Sequence, residues 1–452
     1  MNNFGKISIV GNGLSAWMIC AFMAKQLQNT DTKITLYTGV DAENTTDLQS
    51  PLPLINEFFN AINISPEAIN GAGGVHPKLG TAYLFDNKKP FFHVWGKYGA
   101  PIGAVEFHQI LMRSMQSGST VDLNKLSISS ASVLAGRFQK PTQDFNSIYS
   151  TYESSYSFET ECFVQLLKSM SKNLGVDINE EKIFKLKFDD NDCSVFGMSN
   201  TYYECDYLIN TVPALINGSQ RAESWFASLP FDLKSQTENE NSLSALVDKV
   251  KVLDESSWLH EVSHRNAAVR RVYQFSGHDP GNVYIYEKPR APRYLGFGAA
   301  MASMHSPLFS AIDLNLIAIK LLLRYFPSPS DGYSVANEFN KVLKESFENL
   351  RDITQLCLNV FFEKSGRKNQ KIILSDQAKY IKNLFKCRGR YPLLENEFFK
   401  TEWKLWLLIG LGCDIKNIEP MASFINDEIV KDHISKVERS ILKALPSIPL
   451  VN

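Results

Sequence analysis

The hydrophobic pattern is most regular at the start of the chain. Residues 6–10 form a short apolar run, which predicts a buried β-strand. A Gly-Asn-Gly turn at 11–13 interrupts the run, residues 15–28 then predict a helix, and residues 33–37 predict a second strand. Strand, glycine turn, helix and strand in this order are typical of a dinucleotide-binding unit. The alternative is a buried unit of the same shape that binds no ligand.

The residues of the glycine turn each have a predicted part in holding the cofactor. Gly11 permits the tight turn, Gly13 lets the backbone approach a pyrophosphate, and Ala16 replaces the third glycine of the usual motif. Leu14 and Ser15 open the helix, and the free N–H groups of a helix N-terminus attract phosphate.

The end of the second strand departs from the usual pattern. An Asp or Glu at this place ordinarily binds the ribose hydroxyls of the cofactor. Here Thr38 occupies the place, and Asp41 follows three residues later. Thr38 is therefore the predicted residue on the ribose side.

The rest of the pattern predicts further strands and helices. The predicted strands are residues 81–85, 90–95, 184–188, 205–210, 269–275 and 282–287, of which 184–188 and 205–210 return to the nucleotide-binding sheet. The predicted helices are 53–64, 106–117, 159–174, 312–325, a long helix after Pro329, and 425–444. Residues 118–157 predict a long excursion or lid, and the polar residues 215–256 give no clear pattern.

Composition narrows the class of protein. A chain of 452 residues with 44% hydrophobic and 21% charged residues is ordinary for a globular enzyme of two or three lobes. The net charge of −1 gives no reason to expect nucleic acid, and the lack of a run of about 18 apolar residues predicts no membrane span. Seven scattered cysteines without a CxxC pair predict reduced thiols in a cytoplasmic protein.

Several short motifs, taken in chain order, resemble the flavin-dependent tryptophan halogenase family. They are the turn at 11–18 with its Trp-Met ending, Lys78-Leu79-Gly80, Pro307-Leu308-Phe309-Ser310 after Gly298-Ala299-Ala300, Leu350-Arg351-Asp352-Ile353, and residues 406–412 with 419–421. No single motif is specific, whereas the ordered set is.

The resemblance implies the fold and its division. It implies an α/β protein with a Rossmann-like FAD-binding fold of the flavin monooxygenase type, a β-sheet substrate region and a helical C-terminal lobe. Residues 1–325 would form the FAD-binding module, with inserted substrate-region strands at about 80–160 and 215–290. Residues 326–452 would form the helical lobe.

The resemblance also implies the chemistry. Reduced FAD, oxygen and a halide ion, chloride or bromide, would give hypohalous acid, and Lys78 would direct it to an electron-rich aromatic, indole-like or phenolic, either free or tethered to a carrier protein. Because only one nucleotide turn is visible, a separate flavin reductase would supply the reduced cofactor. The alternative for Lys78 is a surface lysine at the base of a hairpin.

The resemblance assigns further residues to the site. Those that would contact the flavin or the halide are Gly298, Pro307, Ser310, Ala311 and Ile312, and Phe309 would contact the substrate. Apart from the resemblance, the aromatic cluster that contains Phe92, His93 and Trp95 could line a flat substrate pocket, and the alternative is ordinary core packing.

Three departures from the family pattern leave alternatives open. The Trp-x-Trp-x-Ile-Pro motif, which is thought to keep substrate from direct oxygenation, becomes Trp258-Leu259-His260-Glu261-Val262-Ser263. Phe309 stands where the tryptophan-specific enzymes carry a Glu, and Phe309-Ser310 resembles the phenol and pyrrole halogenases instead. Ala311-Ile312 replaces the Thr-Gly or Ser-Gly that helps to hold halide. A related flavin monooxygenase and a non-catalytic flavin-fold protein are therefore the alternatives.

One motif indicates a different chemistry. Residues 260–264 read His-Glu-Val-Ser-His, a literal HExxH of the zinc protease type. On a helix both histidines would bind zinc, and Glu261 would act as a general base. No third ligand follows at a familiar spacing, so we interpret the motif as a chance match and predict no metal site.

Overall fold

The structure of the chain is a computed structural model. It describes residues 4–41, 48–69, 74–86, 88–189, 192–216, 222–239, 246–265, 267–367 and 372–451.

The strands, in chain order, are β1 (Lys6–Val10), β2 (Lys33–Gly39), β3 (Leu48–Gln49), β4 (Val75–Lys78), β5 (Gly80–Leu84), β6 (Phe91–Val94), β7 (Ser155–Glu159), β8 (Asp177–Phe188), β9 (Cys193–Gly197), β10 (Tyr202–Cys205), β11 (Tyr207–Asn210), β12 (Ala222–Ser224), β13 (Phe231–Asn239), β14 (Val247–Val252), β15 (Ser257–His264), β16 (Ala267–Phe275), β17 (Tyr284–Tyr286), β18 (Arg290–Ala291), β19 (Tyr294–Gly296) and β20 (Ala302–Ser303). The α-helices are α1 (Leu14–Gln26), α2 (Ile55–Ile62), α3 (Phe107–Gln116), α4 (Ile128–Ala135), α5 (Thr160–Asn173), α6 (Ala311–Arg324), α7 (Tyr333–Lys364), α8 (Asp376–Arg388), α9 (Thr401–Gly410), α10 (Pro420–Ser423) and α11 (Asp427–Ala444).

The chain divides into two compact units, each made of three segments. Unit 1 contains residues 1–75, 158–229 and 278–348, and unit 2 contains residues 76–157, 230–277 and 349–452. The boundary at residue 326 that the family resemblance implies stays a prediction.

Unit 1 is built on an eight-stranded sheet with the order β10-β9-β8-β2-β1-β11-β19-β18. Its central strands, β8, β2, β1, β11 and β19, run parallel. The predicted first unit is confirmed, and the predicted strands at 184–188 and 205–210 lie within β8, β10 and β11. A mostly parallel sheet with helices between its strands is the doubly wound arrangement of nucleotide-binding folds.

Helix α1 is buried on every side from Leu14 to Ala24. It packs on α2, α5 and α6, all in unit 1. A helix that is apolar all round must lie in a protein interior, which explains why this segment lacks the amphipathic pattern of a surface helix. The position of the glycine turn is thus set by the core.

Unit 2 contains a six-stranded sheet with the order β13-β16-β15-β14-β5-β6, in which β14 and β5 are parallel and the other neighbours antiparallel. The C-terminal half of α7 packs on this sheet. The ring of Phe361 meets Tyr83 edge-on at 5.2 Å between centroids, and Phe362 stacks with Phe231 at 6.1 Å. Aromatic pairs of this kind add to the stability that their buried area supplies.

Two segments hold more structure than their patterns predict. The predicted excursion at 118–157 contains α4, whose C-cap is Gly136 in the left-handed conformation at φ 61°. The unassigned segment at 215–256 supplies β13 and β14. In β14 the residues Lys249 to Val252 alternate between polar and apolar, which is the pattern of a half-buried strand, and Asp248 stands at a place where that alternation expects an apolar residue.

No helix in the described part of the chain is long and apolar enough to cross a membrane. The seven cysteines are all free thiols.

Candidate active site

The glycine turn in unit 1 is packed too closely to accommodate a side chain at Gly11. The N–H of Gly11 donates to the carbonyl of Tyr37 at 3.0 Å, which ties the turn to β2. Gly11 has φ +157°, and a Cβ at this position would lie 1.9 Å from Oγ1 of Thr211 and 2.8 Å from Cβ of Ala16. Only a glycine therefore allows β1, β11 and α1 to approach this closely.

A second glycine meets the same turn. Gly298 lies in a 3-10 turn with φ +60°, and a Cβ there would lie 2.6 Å from both Cβ and Oγ of Ser15. Nδ2 of Asn315, on α6, donates to Oγ of Ser15 at 3.0 Å. The structure thus brings together Ser15 and Gly298, two residues that the sequence assigned to cofactor binding from opposite ends of unit 1.

These residues fit a dinucleotide cofactor. Gly13 is the N-cap of α1 in extended conformation and has no side chain, so the first-turn N–H groups have no side-chain cap. Oδ1 of Asn315 is buried and has no hydrogen-bond partner among the described residues. A buried acceptor without a hydrogen-bond partner, next to Gly298, suits a ligand that carries a hydroxyl group.

Thr38 lies in β2 and is half-buried. Its hydroxyl donates to the carbonyl of Asn179 over 3.5 Å, a long contact. Asp41 is exposed after the strand. This strand end therefore carries a hydroxyl where the usual motif has a carboxylate, and its contact with a ribose stays a prediction.

The loop before α6 forms the N-terminal cap of that helix. Ser310 and Asp313 form a capping box, in which the N–H of Ser310 donates to Asp313 Oδ2 at 2.8 Å. Pro307 and Phe309 are buried before it; Ala311 is exposed and Ile312 buried in the first turn. The cap fixes where this loop ends, and contact with a flavin stays a prediction for these residues.

Lys78 in unit 2 is completely buried, with 0% of its surface exposed. Its ammonium group donates to Oδ1 of Asp248, on β14, whose side chain is 8% exposed. Burial lowers the pKa of Lys78, and the charge of Asp248 opposes that shift. A surface lysine at a hairpin base is therefore excluded.

The HExxH stretch lies on strand β15 and not on a helix. Glu261 pairs with Lys249 and Arg270, each at 2.5 Å. His260 lies on the other side of the strand, where its pKa is lowered to about 4 by burial. No group of three or more His, Cys, Asp or Glu in the described ranges is arranged to hold a metal ion.

Two of the predicted substrate residues, Phe92 and His93, lie on opposite sides of β6. His93 is buried; its ring lies 4.5 Å from that of Trp403, and Nε2 donates to the carbonyl of Trp403 at 2.8 Å. Phe92 points to the opposite side of the strand. Trp95 is half-buried just beyond the strand end. His93 and Phe92 therefore do not share one wall.

The buried His93 makes stability sensitive to acid. Burial lowers its pKa to about 4 from 6.5, so the unfolded chain binds the proton first as pH falls. This contribution is complete above pH 6.5 and is lost between pH 6.5 and 4, with a total of roughly 3 kcal/mol. We expect His93→Gln to flatten the pH dependence of the unfolding free energy in this window, as measured by denaturant titration. An unchanged slope would contradict the assignment.

The doubly wound sheet and the glycine turn together are typical of the dinucleotide-binding class of proteins. The family model described as tryptophan halogenase matches residues 6–232, half of the chain. The chain therefore belongs to the tryptophan halogenase family, whose members are flavin-dependent oxidoreductases.

Solved structures agree on the fold. BrvH, a flavin-dependent halogenase from Brevundimonas sp. BAL3, superposes with TM-score 0.88 at 18% identity, covering 99% of this chain and 97% of that one. A flavin-dependent halogenase from Xanthomonas campestris gives 0.87 at 16%, covering 99% and 97%. The tryptophan 6-halogenase SttH from Streptomyces toxytricini gives 0.84 at 14%, covering 99% and 98%. A comparison with curated protein sequences gives no match.

Asp248 is the member of this site that sequence reasoning missed. It lies 170 residues from Lys78 along the chain. The alternation after Val247 could have identified the strand, because Asp248, Val250 and Val252 share one buried face while Lys249 and Lys251 on the other face are half-buried. An aspartate buried in such a strand requires a partner.

Proposed function

We propose that this protein is an FAD-dependent halogenase that uses reduced FAD, oxygen and chloride or bromide to halogenate an electron-rich aromatic, indole-like or phenolic. The observation that carries the proposal is the fully buried Lys78 in a member of the tryptophan halogenase family. Burial of a lysine is costly because its charge is removed from water, and at Lys78 it coincides with the place of the family's catalytic lysine.

Bound reduced FAD, with oxygen, supplies the oxidising equivalent that converts halide to hypohalous acid. In unit 1 we assign the pyrophosphate to Gly11, Gly13 and the first turn of α1, because these residues leave room and offer free N–H groups. Asn315 would accept a hydroxyl hydrogen of the cofactor at its buried Oδ1. Thr38 would meet the ribose through its hydroxyl.

Lys78 would act on the oxidised halogen. Its ammonium group donates hydrogen bonds, and the low-dielectric surroundings strengthen them. A donor on the oxygen of hypohalous acid stabilises that oxygen as it leaves and makes the halogen more electrophilic. The acceptor is the aromatic ring of the substrate.

Within unit 2 we assign substrate contacts to His93 and Trp95, whereas Phe92 points to the other side of β6. Because its pKa is about 4, His93 is neutral at pH 7 and holds Nε2–H on Trp403. It therefore offers an aromatic face without positive charge, which suits a neutral ring. A separate flavin reductase would provide the reduced cofactor.

The test is a reconstituted reaction. The protein is mixed with FAD, NADH, an unrelated flavin reductase, oxygen and bromide, with indoles and phenols as substrates, and products are analysed by mass spectrometry. We expect the isotope pattern of one added bromine, and no product when the reductase or bromide is left out. Flavin oxidation without any halogenated product would contradict the proposal.

A second candidate function is oxygen insertion by a related flavin monooxygenase. One observation favours it: the first Trp of the motif thought to exclude direct oxygenation, Trp258, stacks on Tyr273 at 4.2 Å, while His260 replaces the second Trp. The same assay separates the two functions, because the oxygenase product gains the mass of one oxygen with or without bromide.

A further inference from the structure

The carboxylate of Asp248 connects Lys78 with a departure from one of the family motifs. Oδ1 of Asp248 accepts from the ammonium group of Lys78 and also from the backbone N–H of Ser263 at 3.4 Å. Ser263 occupies the place of the proline in Trp-x-Trp-x-Ile-Pro. A proline has no N–H and could not donate here. The serine therefore supplies a donor that the family motif lacks, and it is directed at the partner of the lysine.

The β-sheet places these groups on adjacent strands. Lys249 pairs with Glu261 in the ladder between β14 and β15, so Asp248 lies opposite Val262, beside His260. His260 is held neutral at pH 7 because its pKa is about 4. It therefore contributes no charge that would compete with Lys78 for the carboxylate.

We propose that Asp248 is a positioning residue that keeps the buried Lys78 ammonium group charged and fixed in direction for halogen transfer. The inference rests on the proposed halogenase function. A buried lysine without a counter-ion releases its proton, and a neutral amine loses the charge that strengthens its hydrogen bond to an oxygen. An adjacent carboxylate favours the charged form.

Among the described residues, the charged and titratable groups around the pair are Asp248 and Lys249 on β14, His260, Glu261 and His264 on β15, Arg271 on β16, and His76 on β4, whose ring lies 6.2 Å from that of His264. Glu261 is neutralised by Lys249 and Arg270. Asp248 is thus the carboxylate in direct contact with Lys78.

The test measures the proton on Lys78 without turnover. Full-length protein labelled with ¹⁵N-lysine is titrated by NMR, and the Lys78 ammonium signal is assigned by its loss in Lys78→Arg. Asp248→Asn should lower the titration midpoint of Lys78 by about 1–3 pH units. Asp248→Glu, which restores the charge, should recover most of that shift. Glu261→Gln removes a carboxylate from the neighbouring strand and should lower the midpoint much less than Asp248→Asn does, because the attraction of Glu261 for the charged lysine is weaker than that of Asp248.

The second readout is the pH profile of halogenation. Asp248→Asn should move the alkaline limb of kcat to lower pH by the same amount, and the KM for substrate should stay constant. A midpoint of Lys78 that does not respond to Asp248→Asn would overturn the inference while wild-type turnover still supports the halogenase. A midpoint that moves without a change in the pH profile overturns the catalytic role of the pair. Failure of the wild-type protein to halogenate overturns the proposed function itself.

Discussion

Lys78→Met is expected to lower the halogenation rate by about 10²- to 10⁴-fold, the usual loss when a positioned proton or hydrogen-bond donor is removed. Methionine preserves most of the side-chain length, so the space around residue 78 stays filled. The replacement removes the ammonium group from which Asp248 accepts a hydrogen bond. FAD binding should be unchanged, because the cofactor residues of unit 1 are untouched.

This replacement also destabilises the protein, so it needs a control with the same cost. Breaking a buried ion pair costs about 3–5 kcal/mol of unfolding free energy. Lys404 provides the match: it is 2% exposed, it pairs with Glu397 at 8% exposure, and burial likewise lowers its pKa. Lys404→Met should lose similar stability and keep its turnover.

The comparison is made at a temperature where both variants are folded, with thermal unfolding and product formation measured on the same samples. A halogenation rate lost in Lys78→Met and retained in Lys404→Met assigns the chemistry to Lys78. Equal losses in the two variants would show that Lys78 contributes only stability.

Gly11→Ala is expected to weaken FAD binding by about 10- to 100-fold. The added Cβ would lie 1.9 Å from Oγ1 of Thr211, which donates to the carbonyl of Val10 at 3.1 Å. Overpacking of this kind costs about 1–3 kcal/mol, and each 1.4 kcal/mol is roughly a factor of ten in affinity. The strain falls on the turn itself, so the N-terminus of α1 moves away from the pyrophosphate site.

Gly332→Ala is the matched control, since no heavy atom lies within 4 Å of its added Cβ. Binding is measured by quenching of FAD fluorescence during titration with each variant. The control should bind as the wild type does. If Gly11→Ala also binds as the wild type does, the glycine turn does not hold the cofactor.

Local sequence pattern was sufficient for the nucleotide unit. The predicted elements at 6–10, 15–28 and 33–37 correspond to β1, α1 and β2 within two residues at each end, because a glycine turn between apolar runs leaves few alternatives. The order of short motifs was sufficient for the family. In both cases each motif consists of residues that are close together in the sequence.

The partner of Lys78 depends on residues that are far apart. Asp248 lies on β14, in a segment whose polar composition gave no clear strand prediction. It contacts the lysine only because β14 pairs in parallel with β5. The sequence of one strand alone does not determine which distant strand it pairs with. The same limit applies to Gly298, whose approach to Ser15 is set by α6 and the core of unit 1.

The interleaving of the two units has a consequence for synthesis on the ribosome. Each unit closes only when its third segment appears, unit 1 at residue 348 and unit 2 within the last hundred or so residues. Lys78 emerges 170 residues before Asp248, an interval of roughly 10–30 s at about 5–20 residues per second. During that interval the lysine is solvated and the strands of unit 2 lack their neighbours. A truncated or stalled chain would therefore expose unpaired strand edges, which are sites where chains pair with one another and aggregate.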